Sequence, residues 1–323
     1  MSELSELSEL SELSEASAGL PSPSRWRRVT GVVLLTLVVA ALAYAVVRNR
    51  QAFVDTAHRV GPGGLVLSTL FGVVGVGATA LQWRAVLLGL GVPLGARDAA
   101  RLFFVSQLGK YLPGSVWPIV MQMEAGRQRG ATRATMLAAN LVTLVLSMSA
   151  GLVLAGLLLP FSSPQALRQF WWALAALPLV VVLALPRTLP FLLDLALKLV
   201  RRAPLRLQMT GVATLRASWW ATVSWVFLGA HLLVLVSAGQ PLSWRTAMLC
   251  VGAMSLAVPA GVLFLPAPAG AGMREVVLGF VLGTTLDSGQ VVAVVVGSRV
   301  LLILVDALLA AAGAALGRSH VRS

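Results

Sequence analysis

The chain has 323 residues, 58% of them hydrophobic and only 11% charged, against about 45–50% and about 25% in an ordinary soluble domain. With a mean hydropathy of +0.86, this apolar surplus exceeds what one water-soluble core can bury and excludes a soluble enzyme. Five of the 12 acids fall in the first 15 residues, leaving seven against 25 bases; most of the Arg residues cluster at the ends of apolar runs, which points to membrane headgroups rather than nucleic acid.

Residues 1–25 are a low-complexity acidic tail built on a Ser-Glu-Leu repeat, expected to be disordered. It lacks the apolar core of a signal peptide. Residues 26–318 then read as one polytopic membrane domain and residues 319–323 as a short cytoplasmic C-terminus. The first span is expected at Val29–Val47. The cluster Arg25-Trp26-Arg27-Arg28 before it places the N-terminus in the cytoplasm. A short loop with Arg48, Arg50, Asp55 and Arg59 follows, and then a second span at Gly64–Leu90. There Gly72, Gly75 and Gly77 offer a smooth face for close packing.

Residues 96–130 are two short apolar helices around Gly109-Lys110-Tyr111-Leu112-Pro113-Gly114. Each half is too short to cross alone, so they read as a re-entrant hairpin, shielded by protein or lining a wet cavity. Further spans are expected at Thr135–Leu159, Gln169–Leu185, Ala213–Val236 and Thr246–Leu265. Between the second and third of these, Arg187, Lys198, Arg201, Arg202 and Arg206 mark a cytoplasmic loop with a surface helix at Pro190–Val200. Met273–Leu286 and Val291–Leu316 close the bundle. The expected fold is thus all-α and integral to the membrane. It has about eight transmembrane or partly spanning helices plus the re-entrant hairpin, with room for a two-half pseudo-repeat. The chain would be a multi-pass protein of the cell membrane with both termini cytoplasmic.

No phosphate loop, nucleophile elbow or dinucleotide fingerprint is present. One cysteine, Cys250, and three scattered histidines give no metal-ligand spacing, so no cofactor and no metal are expected. Lone His231 reads as a core or interface histidine, and Glu124 beside Arg127 as a solvated interface residue.

Two interrupted segments carry the chemistry. Leu108–Pro118 holds Lys110, Tyr111, Pro113, Gly114 and Trp117; Leu265–Glu275 holds Pro266, Pro268, Gly270, Gly272, Arg274 and Glu275. Broken helices in opposite halves of a membrane chain point to a transport site, and freed N–H groups at a helix start suit an anion. Glu275, Arg299 and Asp306 lie inside apolar runs, where each charge costs about 2.5–3.5 kcal/mol on insertion scales. Arg299 and Asp306, seven apart, share one helix face. They could bracket a polar groove or pair with each other, and Glu275 could pair with Arg299.

The run Gln107-Leu108-Gly109-Lys110-Tyr111-Leu112-Pro113-Gly114-Ser115-Val116-Trp117 resembles the "lG-kYlPG-vW" signature of the lysylphosphatidylglycerol synthase transmembrane-region family. Leu265-Pro266-Ala267-Pro268-Ala269-Gly270-Ala271-Gly272-Met273-Arg274-Glu275 resembles its second signature, although Ala269 and Ala271 replace part of a denser Gly run. The resemblance covers roughly residues 26–318. In the bacterial multiple peptide resistance factors this membrane region is associated with flipping an aminoacylated phospholipid, and a separate soluble domain makes that lipid. The resemblance therefore implies a stand-alone membrane region without lysyl transfer.

The leading expectation is a lipid translocase or lipid-binding transporter for a phospholipid or other anionic lipid-linked headgroup. Lys110, Arg274 and Arg299 would hold phosphate, and Glu275 and Asp306 would balance them or contact an amine. Tyr111 and Trp117 would line the path, while Pro113, Gly114, Pro266, Pro268, Gly270 and Gly272 shape the breaks. The alternatives are an intramembrane enzyme with Glu275 or Asp306 as base, and a non-catalytic partner of a headgroup-modifying synthase. Membrane lipids are the expected partners, with homo-oligomerisation or a separate synthase also compatible.

Overall fold

In lipid every backbone N–H and C=O must be satisfied within its own segment, so uninterrupted apolar runs fold as long helices. The computed structural model of the chain describes residues 40, 43–44, 46–111, 117–127, 131–184, 188, 209–263 and 270–318. The acidic tail, most of the expected first span, the 190–200 surface helix and residues 319–323 lie outside them.

Nine α-helices follow one another among the described residues: α1 (Arg50–Gly89), α2 (Ala96–Gln107), α3 (Trp117–Arg127), α4 (Arg133–Ser162), α5 (Pro164–Ala184), α6 (Gly211–Val236), α7 (Trp244–Leu263), α8 (Met273–Leu282) and α9 (Ser288–Arg318). A 3-10 turn, Leu108–Tyr111, links α2 to the first break. Among the described residues five helices, α1, α4, α6, α7 and α9, are long and apolar enough to cross a membrane. The chain is an all-α multi-pass membrane protein.

The expected loop at residues 48–59 is helical instead. Residues 50–60 contain neither Gly nor Pro, so nothing stops the helix until Gly61, whose φ of 65° and ψ of 170° bend it. Pro62 follows at the start of the next stretch, where its missing N–H is harmless. The helix starts at Arg133 and Gly211 are fixed by Thr132 and Thr210. Each hydroxyl accepts a hydrogen bond from the backbone N–H three residues on, at 3.1 and 3.2 Å.

Helix α1 packs along α6 and against α9, while α7 is wedged among α4, α6 and α8. The glycine face expected on α1 is real at two of its three positions. A methyl group at Gly72 would meet Val305 of α9 at 3.1 Å, and one at Gly75 would meet Leu228 of α6 at 2.9 Å, whereas Gly77 meets nothing within 4 Å. One apolar core gathers around Leu232, Met254 and Leu278, with Cys250 inside it. A second surrounds Trp83, Phe103 and Met136.

His231 is fully buried and clamps three helices together. Its Nδ1 lies 2.8 Å from the Ser68 hydroxyl and 3.0 Å from the Ser68 carbonyl of α1, and its Nε2 lies 3.0 Å from the Ser298 hydroxyl of α9. The residue is a core histidine, as its lone position in the sequence implies.

Candidate functional site

Helix α2 delivers the first interrupted segment. Ser106, buried in its last turn, accepts from Gln122 Nε2 of α3 at 2.7 Å and donates to the Phe103 carbonyl at 2.8 Å. These bonds tie the two short helices into the hairpin that the sequence implies. The turn closes on Gly109, where an added Cβ would stand 2.9 Å from Trp117 Cβ and 3.0 Å from Pro118 N. Only a residue without a side chain lets the two sides of the break meet there. Pro113 and Gly114 lie outside the described residues. Trp117, 42% exposed, starts α3.

The turn presents Lys110 and Tyr111 to Asp306 of α9. Lys110 Nζ lies 2.6 Å from Asp306 Oδ2, and the Tyr111 hydroxyl donates to the same oxygen. The Asp306 side chain is only 4% exposed, while that of Lys110 is 30% exposed. Asp306 Oδ1 has no hydrogen-bond partner among the described residues.

The second interrupted segment ends at α8. Pro266 and Pro268 lie outside the described residues. Gly270 and Gly272 have φ values of +66° and +89°, in the left-handed region that glycine alone enters readily. A Cβ on Gly270 would also stand 2.7 Å from the Gly261 backbone of α7. Glu275, in the first turn of α8, accepts from the Gly272 N–H through Oε2 at 2.7 Å. Its Oε1 lies 3.2 Å from Arg299 NH1 of α9. One carboxylate thus caps a helix and neutralises a buried guanidinium. Arg274 sends its guanidinium towards Met254 Sδ, 3.9 Å away, and forms no ion pair among the described residues.

Arg299 lies 11 residues into α9, about 16 Å from its start, and Asp306 stands about 10 Å further along at 1.5 Å per residue. Arg274 interacts electrostatically with Arg299, Glu275, Tyr111 and Asp306, and Tyr111 with Asp306, Arg299 and Arg274. The two interrupted segments, far apart in the chain, therefore converge on one face of α9. Three cations, Lys110, Arg274 and Arg299, gather there with two carboxylates, Glu275 and Asp306.

Of the pairings open from the sequence, Glu275 with Arg299 is the one formed. Arg299 and Asp306 do share a face but engage different segments. Lys110 as the counter-charge of Asp306 had no local signal, because the two are 196 positions apart and only the packing of α2 on α9 joins them. The Ser298 hydroxyl bonded to His231 was equally silent, although it adjoins Arg299. Glu124 is an exposed anchor for Arg127 at 2.9 Å and Arg133 at 3.3 Å, as an interface residue should be. The hydrogen bond from Arg127, and then that from Arg133, holds its carboxyl below the usual range.

Residues 28–310 match the family model described as Lysylphosphatidylglycerol synthase TM region. No curated protein matches the chain.

Proposed function

The chain belongs to the lysylphosphatidylglycerol synthase TM region family, and from that premise we propose that it is a membrane lipid translocase or lipid-binding transporter. Its cargo is a phospholipid or other lipid-linked anionic headgroup. The observation that carries this reading is the charge cluster on α9, to which both interrupted segments contribute.

Among the described residues three cations against two carboxylates leave a positive surplus, and Arg274 forms no ion pair of its own. A phosphodiester would supply it with charge-assisted hydrogen bonds, which are about twice as strong as neutral ones. Lys110 is half-buried and reaches the same cluster. The groove needs to shelter only the polar headgroup, because acyl tails remain in lipid. Tyr111 and Trp117 would flank that path. Both termini lie in the cytoplasm in this reading, given the basic clusters that flank the spans.

The test is reconstitution of the purified chain in liposomes with a labelled anionic phospholipid. Translocation is read from accessibility of the label to a membrane-impermeant quencher, and chemistry from lipid mass. We expect movement with mass unchanged, and loss of movement in Arg274→Ala and Glu275→Gln with expression retained. A changed lipid mass would establish an intramembrane enzyme instead. Absence of both, with a synthase co-purifying, would establish a non-catalytic partner.

A further inference from the structure

Two acidic residues far apart in the chain, Asp55 and Asp287, line one cavity of about 200 Å³. It lies where α6 ends and α9 begins, against the stretch of α1 that precedes the Gly61 bend. Val236 and Leu286 give it a buried apolar floor, and Asp55, Arg59, Asp287 and Gln290 bring polar groups to it. Its walls are tied together. Gln240, in the turn after α6, donates to the Thr285 carbonyl in the turn before α9 at 2.8 Å, and Arg59 NH1 donates to the Ala238 carbonyl at 3.3 Å. An acid four residues before an arginine on a helix ordinarily pairs with it. Asp55 and Arg59 have that spacing and order, yet they form no ion pair among the described residues. Asp287 uses Oδ1 to cap α9, accepting from the Gln290 N–H at 2.9 Å, and that is its one bond among the described residues. Opposite charges thus border a single cavity without neutralising each other.

We propose that this cavity binds a small water-borne zwitterion of the α-amino-acid type. Arg59 keeps guanidinium donors beyond the one on Ala238 and takes the carboxylate of the ligand, whose two oxygens match the guanidinium fork. Asp55 and the second oxygen of Asp287 take the ammonium, and a short apolar body rests on Val236 and Leu286. A simple cation would leave Arg59 unmatched, and a simple anion would leave two carboxylates unmatched. At about 30 Å³ per water the cavity has room for about seven waters. It is smaller than the roughly 300–1,000 Å³ pockets of drug-sized ligands, so its occupant is a small solute. The site is independent of the lipid-handling reading, because Arg299 lies about 16 Å further along α9.

The probes are L-leucine and the smaller L-alanine, with two leucine analogues that each lack one charge. N-acetyl-leucine has no ammonium, and isoamylamine has no carboxylate. Binding of each to the full chain in detergent is measured by isothermal titration calorimetry. At least one amino acid is expected to bind, and leucine is expected to bind roughly tenfold or more tightly than either analogue, the scale of a hydrogen bond to a charged group. Asp55→Asn and Arg59→Gln remove one charge each at exposed positions. The unfolding midpoint of the unliganded chain should stay unchanged in both, while amino-acid binding falls tenfold or more. Isoamylamine or N-acetyl-leucine binding as tightly as leucine overturns the zwitterion assignment. Amino-acid binding that survives both substitutions lies elsewhere and overturns the site. Binding of neither amino acid at up to about 10 mM overturns the inference. None of these results touches the lipid-handling reading, which stands or falls on translocation in liposomes.

Discussion

The two interrupted segments use similar residues to opposite ends. In the first, the charged group of the break is Lys110, which reaches from a short 3-10 turn to a carboxylate on α9 and stays 30% exposed. In the second, the charged groups sit on the first turn of α8, and Glu275 is spent internally, on the Gly272 N–H and on Arg299. The Glu275–Arg299 pair is nearly closed to solvent, at 13% and 10% exposure. The second segment is thus fastened by its Glu275–Arg299 pair, while the first offers Lys110. A proline and glycine break marks where helices stop, but burial of the neighbouring charges decides whether the break is an anchor or a contact point.

This contrast can be broken most sharply at Glu275. Glu275→Ala removes the carboxylate that pairs with buried Arg299 and uncaps α8, so thermal unfolding of the purified chain should register a loss of up to about 3–5 kcal/mol. Replacing Glu275 and Arg299 together by Met should recover most of it; if the double variant is as unstable as the single one, the pair is not what fastens this segment. Next in size is Gly270→Ala. The left-handed backbone penalises a side chain by about 1–2 kcal/mol, and contact with the Gly261 backbone adds to that. The unfolding midpoint should fall accordingly. Lys110→Met should shift it less than Glu275→Ala does, since the Tyr111 hydroxyl still donates to Asp306, but it should weaken binding of anionic lipid in a flotation assay. A larger stability loss at Lys110 than at Glu275 would reverse the comparison.

The smallest effect is expected at Glu124, in an exposed cluster outside the spans. Its carboxyl is held below the usual range by Arg127 and Arg133. The contribution is therefore present above the unfolded carboxylate range and fades as pH falls through the lowered folded value. Because the cluster is exposed, solvent and salt screen it. Glu124→Gln should leave the unfolding midpoint at neutral pH unchanged within error, and acidification or added salt should remove any difference that remains.

Helices were legible in the sequence wherever composition alone decides them. The expected Ala213–Val236 is α6 within two residues, Gly211–Val236, because lipid demands an uninterrupted helix. The hairpin was legible too, since Gly109 and the residues after it cannot continue α2. Hidden were features set by contact between distant segments. Nothing local in residues 50–60 separates a polar loop from a polar helix end, and nothing near Asp306 reveals that Lys110 covers one oxygen and leaves the other bare. Seven-residue spacing correctly placed Arg299 and Asp306 on one face, but spacing along one helix says nothing about which neighbour each one meets.

Cys250 is the sole thiol of the chain and is sealed inside the apolar core formed by α4, α5, α6, α7, α8 and α9. Membrane-permeant and impermeant alkylating reagents should therefore both pass it by while the protein is folded. The natural chain is in effect a thiol-silent background. A cysteine placed singly at Val120, on the exposed face of α3, or at Leu242, before α7, becomes the only reactive one, so sidedness can be mapped without first removing a native residue from the interior.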